Sequence, residues 1–100
     1  MERKKLTAEE IETALAGLIK WEAHDNRLKK RFSFSNFAES LAFVNKIGEA
    51  AEGSDHHPDI KLGWGYAEIE VTTHDRGGIT AKDFELAQKI DGLGRNPTSA

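Results

Sequence analysis

The sequence predicts an α+β domain, a four-stranded antiparallel sheet with three helices packed on one face, in the order α-β-β-α-β-β-α. Three observations carry this. Thr7 and Thr80 each stand three residues ahead of an acid and open an apolar series at helical spacing, the pattern of a capping box. Two stretches, 21–34 and 60–73, alternate apolar and polar residues around a turn, as half-buried hairpin strands do. Between them runs a wide apolar stripe of helical period. Hairpin strands with one-sided alternation call for helices over a single face, leaving the other to solvent or a partner.

The first helix is expected over 7–19, where Ile11, Leu15, Leu18 and Ile19 recur behind Thr7-Ala8-Glu9-Glu10. Segments 21–24 and 28–34 then flank Asp25-Asn26, residues that tolerate left-handed backbone and mark a hairpin turn. Leu28, Phe32 and Phe34 share one parity, and Lys29, Arg31 and Ser33 the other. Lys30 is expected to interrupt the apolar face near its solvent end. From Ser35 the period changes: Phe37, Leu41, Val44, Gly48 and Ala51, joined by Phe43 and Ile47, form the strongest helix, ending at Gly53. A second hairpin follows, Ile60-Lys61-Leu62, a turn at Gly63-Trp64-Gly65-Tyr66, and the alternating run 67–73. His74 to Gly78 reads as loop. Thr80-Ala81-Lys82-Asp83 opens the last helix, with Phe84, Leu86, Ala87, Ile90 and Leu93 inward, and 95–100 is expected to be a flexible tail.

A chain of 100 residues has room for one core, so residues 1–100 are expected to form one domain with its core over about 7–93. The absence of cysteine excludes disulfides, thiolate zinc sites and a cysteine nucleophile. A formal charge of −3 gives no footing for direct nucleic-acid binding. No apolar run is long enough for a signal peptide or membrane span, so a cytoplasmic location without membrane contact is expected.

The chemistry concentrates in EGSDHHPD. His56 and His57 precede the second hairpin and His74 follows it, so the hairpin should gather three imidazoles, groups that titrate near a free pKa of about 6.5 and both give and take protons. Glu52 and Asp55 stand close enough to hold an imidazole tautomer, and Pro58 stiffens the chain and biases His57 toward extended backbone. Blander roles compete. Taken singly, each histidine is a solvated turn residue, and His24 is a surface residue. Asp83 sits where an acid caps its own helix; Trp21 and Trp64 could be packing aromatics, though Trp64 between glycines is easier to picture exposed. Three histidines could also hold a divalent ion, but adjacent side chains diverge, so metal ranks below direct proton transfer and neither metal nor cofactor is expected.

Taken together, Glu52-x-x-x-His56-His57-Pro58, five residues to Trp64, nine more to His74 and eight more to Asp83 resembles the signature of the pterin-4a-carbinolamine dehydratases. Trp21, the run FSFSNFAESLAFVNKIGEAAE, the loop TTHDRGGIT and the segment FELAQKID also look like their counterparts, so the resemblance covers roughly 15–93. It implies a small α+β fold with helices over one face of a four-stranded antiparallel sheet. It also implies dehydration of 4a-hydroxytetrahydrobiopterin to the quinonoid dihydropterin, in recycling the cofactor of an aromatic amino acid hydroxylase. By the resemblance His56 and His74 are acid/base residues and His57 binds and orients the pterin. Glu52 is a carboxylate near the site, Trp21 an aromatic near it, Trp64 the signature's aromatic, and Asp83 holds the site loop, with Asp55 and Pro58 in support. The GWGY turn departs from the commoner tyrosine-containing one. Relatives in animals also act as dimerisation cofactors of a transcription factor through a helical surface used for self-association, so a binding role is the alternative. The wide stripe of the central helix predicts a homodimer or homotetramer.

Overall fold

The computed structural model describes residues 4–94, and the expected flexible tail at 95–100 lies outside them. The elements are α1 (Ala8–Leu15), β1 (Glu22–His24), β2 (Arg27–Ser33), α2 (Phe37–Ser54), β3 (Asp59–Gly63), β4 (Tyr66–Val71), a 3-10 turn (His74–Arg76) and α3 (Ala81–Gly94). The sheet is antiparallel in the order β1-β2-β4-β3.

Local chemistry sets the ends. The Thr7 capping box closes with both bonds: the Glu10 carboxylate accepts from Thr7 N–H at 2.8 Å and Thr7 Oγ1 from Glu10 N–H at 3.1 Å. α1 ends at Leu15 rather than Ile19. Gly17 is a weak helix former, Leu18 turns inward to 7% exposure and Ile19 is left 75% exposed. Asp25 and Asn26 both take left-handed backbone, φ 52° and 64°, which gives the two-residue turn whose twist matches the strands it joins.

The alternation of β4 puts Ala67, Ile69 and Val71 on the helix side, all buried. Its other parity meets opposite charges in register: Glu70 opposite Lys29 and Glu68 opposite Arg31. Partial burial pushes the Glu70 carboxyl up, but Arg27 and Lys29 outweigh it and hold the group below its ordinary value. This open face is a ladder of compensating charges.

Lys30 lies on the core parity of β2, and its position differs from the solvent end expected of it. Its side chain is 14% exposed, reaches the Asp91 carboxylate at 2.9 Å and lies over the Phe32 ring, 4.6 Å from its centroid. The same Asp91 oxygen accepts from Trp21 Nε1–H at 2.9 Å. Asp91→Ala strands a largely covered cation and an indole N–H. It is expected to lower the free energy of unfolding by about 2 kcal/mol or more in urea titration. A Lys30→Met, Asp91→Leu pair should recover the share due to the stranded cation, while the Trp21 indole N–H stays without its acceptor.

In α2 the face that meets the core is Ser40, Phe43, Ile47 and Ala51. The stripe read from the sequence is wider than that contact: Phe37 and Leu41 stay 44% and 40% exposed. Ser40 is buried because its hydroxyl donates to Gly63 O at 2.8 Å, tying α2 to the β3–β4 turn. A Cβ at Gly63 would meet the Tyr66 ring laid over it, so any other residue there would have to displace that ring.

Candidate active site

Two loops at one end of the sheet meet on α3. The first begins where α2 stops. Asp55 turns left-handed, φ 53°, its N–H reaches back to Glu52 O at 3.4 Å, and His56 N–H bonds Ala51 O at 3.2 Å. These two bonds are the pattern of a Schellman ending, with Asp where glycine is commoner. The chain is thereby thrown off the helix axis at His56, and Pro58 carries it into β3. Two α3 lysines anchor the junction: Lys82 Nζ donates to Ser54 O at 3.3 Å and Lys89 Nζ to Ser54 Oγ at 2.9 Å. Cations at the C-terminal end of a helix also complement its dipole.

The second loop leaves β4. Thr73 pairs with Gly78 as an isolated bridge, which pinches 74–77 into a closed loop holding the 3-10 turn, and Gly77 closes that turn left-handed at φ 71°. His74 is the turn's first residue and is exposed.

Asp83 joins the two loops. It is completely buried. One carboxylate oxygen, Oδ1, lies 2.6 Å from His56 Nε2; the other, Oδ2, accepts from Thr73 Oγ1 at 2.8 Å and from Thr80 N–H at 2.8 Å. Thr73 and Thr80 hydroxyls are themselves 2.8 Å apart. A buried carboxylate needs its lone pairs satisfied, and here both oxygens are. The acid that caps α3 at Thr80 N–H therefore also bonds His56. His56, with 12% of its side chain exposed, is fixed, and His74 follows directly on Thr73, which bonds the same carboxylate.

His57 is more open. Its Nε2 meets Glu52 Oε2 at 2.6 Å, with side chains 53% and 78% exposed, so water screens the pair and it orients the ring more than it stabilises the fold. Trp64 projects from the β3–β4 turn at 70% exposure. Trp21 is instead 5% exposed, edge-on to Phe32 with centroids 6.3 Å apart and bonded to Asp91; that leaves at most a ring edge for a ligand. His24 pairs with Glu22 at the surface. Among the described residues no three His, Cys, Asp or Glu side chains form a metal-binding group, and no helix is long and apolar enough to cross a membrane.

Three contributors escaped the sequence reading: Thr73, Lys82 and Lys89. Thr73 stood inside the TTHDRGGIT loop, but nothing in its spacing says that its hydroxyl meets a helix N-terminus. Lys82 and Lys89 stand outside the apolar series of α3, and nothing in their spacing marks a contact with Ser54.

The arrangement couples imidazoles on two loops through one buried acid, a geometry suited to moving protons. The family model described as pterin 4 alpha carbinolamine dehydratase matches residues 4–93. A protein from a Picosynechococcus species, named provisionally as a pterin-4-alpha-carbinolamine dehydratase, is 46% identical over 89 residues, covering 89% of this chain and 97% of that one. One from Rubrobacter xylanophilus, named likewise, is 49% identical over 89 residues, covering 88% of this chain and 83% of that one. Among solved structures, a transcriptional coactivator/pterin dehydratase from Brucella melitensis superposes with a TM-score of 0.87 at 27% identity, covering 91% of this chain and 99% of that one. A pterin dehydratase-like protein identified as a RuBisCO assembly factor in the alpha-carboxysome shares the fold, with a TM-score of 0.62 at 24% identity over 74% of this chain and 86% of that one. The match along the chain, the fold and the relatives agree, and the chain belongs to the pterin 4 alpha carbinolamine dehydratase family.

Proposed function

We propose that the protein dehydrates a 4a-hydroxytetrahydropterin, with 4a-hydroxytetrahydrobiopterin as the reference substrate, to the quinonoid dihydropterin and water. In that reaction the C4a–O bond breaks, the hydroxyl leaves as water after receiving a proton, and a ring nitrogen gives one up. No electron changes hands. Imidazoles that titrate near neutrality suit both transfers. The observation that carries the proposal is the buried Asp83, which bonds His56 and, through Thr73, the loop that presents His74. His56 and His74 are the proposed acid and base. His57, oriented by Glu52, holds the pterin; Trp64, on the β3–β4 turn at the far end of that hairpin, stands away from it within one chain. Asp55 and Pro58 shape the loop, and the reaction asks for neither metal nor cofactor. The proposed setting is the cytoplasm, beside an aromatic amino acid hydroxylase. In a steady-state assay coupling such a hydroxylase to reduction of the quinonoid product, adding the protein should raise the rate where the hydroxypterin accumulates. An unchanged rate would count against the proposal.

A second role, protein binding, is favoured by one observation: Phe37 and Leu41 lie on the outer side of α2, beyond the face that the core needs. We propose that this side packs against copies of the same chain. Sedimentation at micromolar concentration should give a dimer or tetramer, and Leu41→Glu should lower the mass. A monomeric mass for the unaltered protein would refute the assembly.

A further inference from the structure

Proton counting around Asp83 assigns the hydrogens of the site. Thr73 and Thr80 each own one hydroxyl hydrogen. Thr73 Oγ1 lies 2.8 Å from Asp83 Oδ2, and a carboxylate only accepts, so the Thr73 hydrogen goes there. The 2.8 Å contact between the two hydroxyls then has one consistent direction, from Thr80 to Thr73. Thr80 Oγ1 in turn accepts from Lys82 N–H at 3.2 Å. The chain of donors runs from Lys82 N–H through Thr80 and Thr73 to Oδ2, which also takes Thr80 N–H at 2.8 Å. With Oδ2 facing two donors, Oδ1 faces His56 Nε2 at 2.6 Å, so that nitrogen carries the hydrogen.

We infer that Thr73 and Thr80 are positioning residues that, through Asp83, hold His56 as its Nε2–H tautomer and leave Nδ1 as the atom that gives and takes the proton. The chemical use of Nδ1 rests on the dehydratase proposal; the tautomer does not. When the ring acts as base, the Nδ1 lone pair takes a proton and Nε2–H stays on Asp83. When it acts as acid, Nδ1 releases that proton to the departing hydroxyl. The carboxylate keeps its own state throughout. The two threonines thus set the geometry from behind, without touching substrate.

The donors on Oδ2 also dictate what an amide would do in place of the acid. In Asp83→Asn the side-chain oxygen must take the Oδ2 place, because Thr73 O–H and Thr80 N–H both need an acceptor there. The amide NH2 then points at His56 and donates, which forces Nε2 to accept and moves the ring proton to Nδ1. A carboxylate-to-amide exchange beside a catalytic histidine that inverts the tautomer can lower turnover by up to about 10⁴-fold with geometry intact.

The test is long-range ¹H–¹⁵N correlation of the His56 ring at a pH where the ring is neutral, with assignment from His56→Gln. The unaltered protein should show protonated Nε2 and bare Nδ1, and Asp83→Asn should show the reverse. Thr73→Val should make the Nε2–H signal exchange faster with water and lower kcat about tenfold, the weight of one hydrogen bond. Thr73→Ser should restore both. Protonated Nδ1 in the unaltered protein, or an unmoved proton in Asp83→Asn, would overturn the inference. If Asp83→Asn does not fold, an Nε2–H signal indifferent to Thr73→Val would do so equally. Failure of the unaltered protein to speed hydroxypterin decay, with the tautomers as stated, would instead remove the dehydratase proposal alone.

Discussion

His56→Ala and His74→Ala should each lower dehydration of a 4a-hydroxytetrahydropterin by about 10²-fold or more, the usual weight of a positioned acid or base, while the fold survives. The two variants differ in what else they disturb. His74 is exposed at the head of its 3-10 turn and its side chain makes no hydrogen bond among the described residues, so its loss should move stability by less than about 0.5 kcal/mol. His56 occupies one oxygen of a buried acid, and its removal should cost about 1 kcal/mol as water replaces the ring. His57→Ala should act mainly on KM, since its pair with Glu52 lies in solvent. Single-turnover rates beside thermal melts separate the cases; an unchanged rate in a folded His74→Ala would remove that residue from the chemistry.

The largest loss of stability outside the apolar core is expected for Asp83→Ala. The substitution strips acceptors from Thr73 O–H, Thr80 N–H and His56 Nε2 at a place with no exposure. Each stranded buried donor costs about 1–3 kcal/mol, less where water can follow the methyl group in, so about 3 kcal/mol in sum is expected. For a domain of this size that is a fall of roughly 15 °C in Tm. Asp83 bonds His56 on one loop and Thr73 at the root of the other, so activity should fall with it even well below the melting range. A melt within a few degrees of the unaltered protein would show that Asp83 does not join the loops as described.

Much of this was legible in the residues because the signals were local. Capping boxes, Asp25-Asn26 and the strict alternation of β4 each act within a few residues, and each produced the expected element. α1 ends early where the chain tightens, with Gly17 N–H on Ala14 O and Leu18 N–H on Leu15 O, and Leu18 turns into the core. The stripe of α2 told which residues are apolar but not which of them face the sheet; only packing separates Phe43 and Ile47 from Phe37 and Leu41. Lys30 read as an interruption because its partner Asp91 lies 61 residues away. Of the residues that spacing singled out, the structure joins His56 to Asp83 and sets His74 beside Thr73, which bonds the same acid. The Thr73 hydroxyl and the lysines on Ser54 were not legible from spacing, since their contacts arise only once α3 crosses both loops.

The most direct measurement is stopped-flow decay of freshly generated 4a-hydroxytetrahydropterin, with and without the protein, from pH 6 to 9 and in the presence of a metal chelator. Acceleration that survives the chelator and is lost in His56→Ala and His74→Ala is the result expected of dehydration by imidazoles alone. A decay no faster than the spontaneous one would contradict it and leave the fold to serve its binding surface.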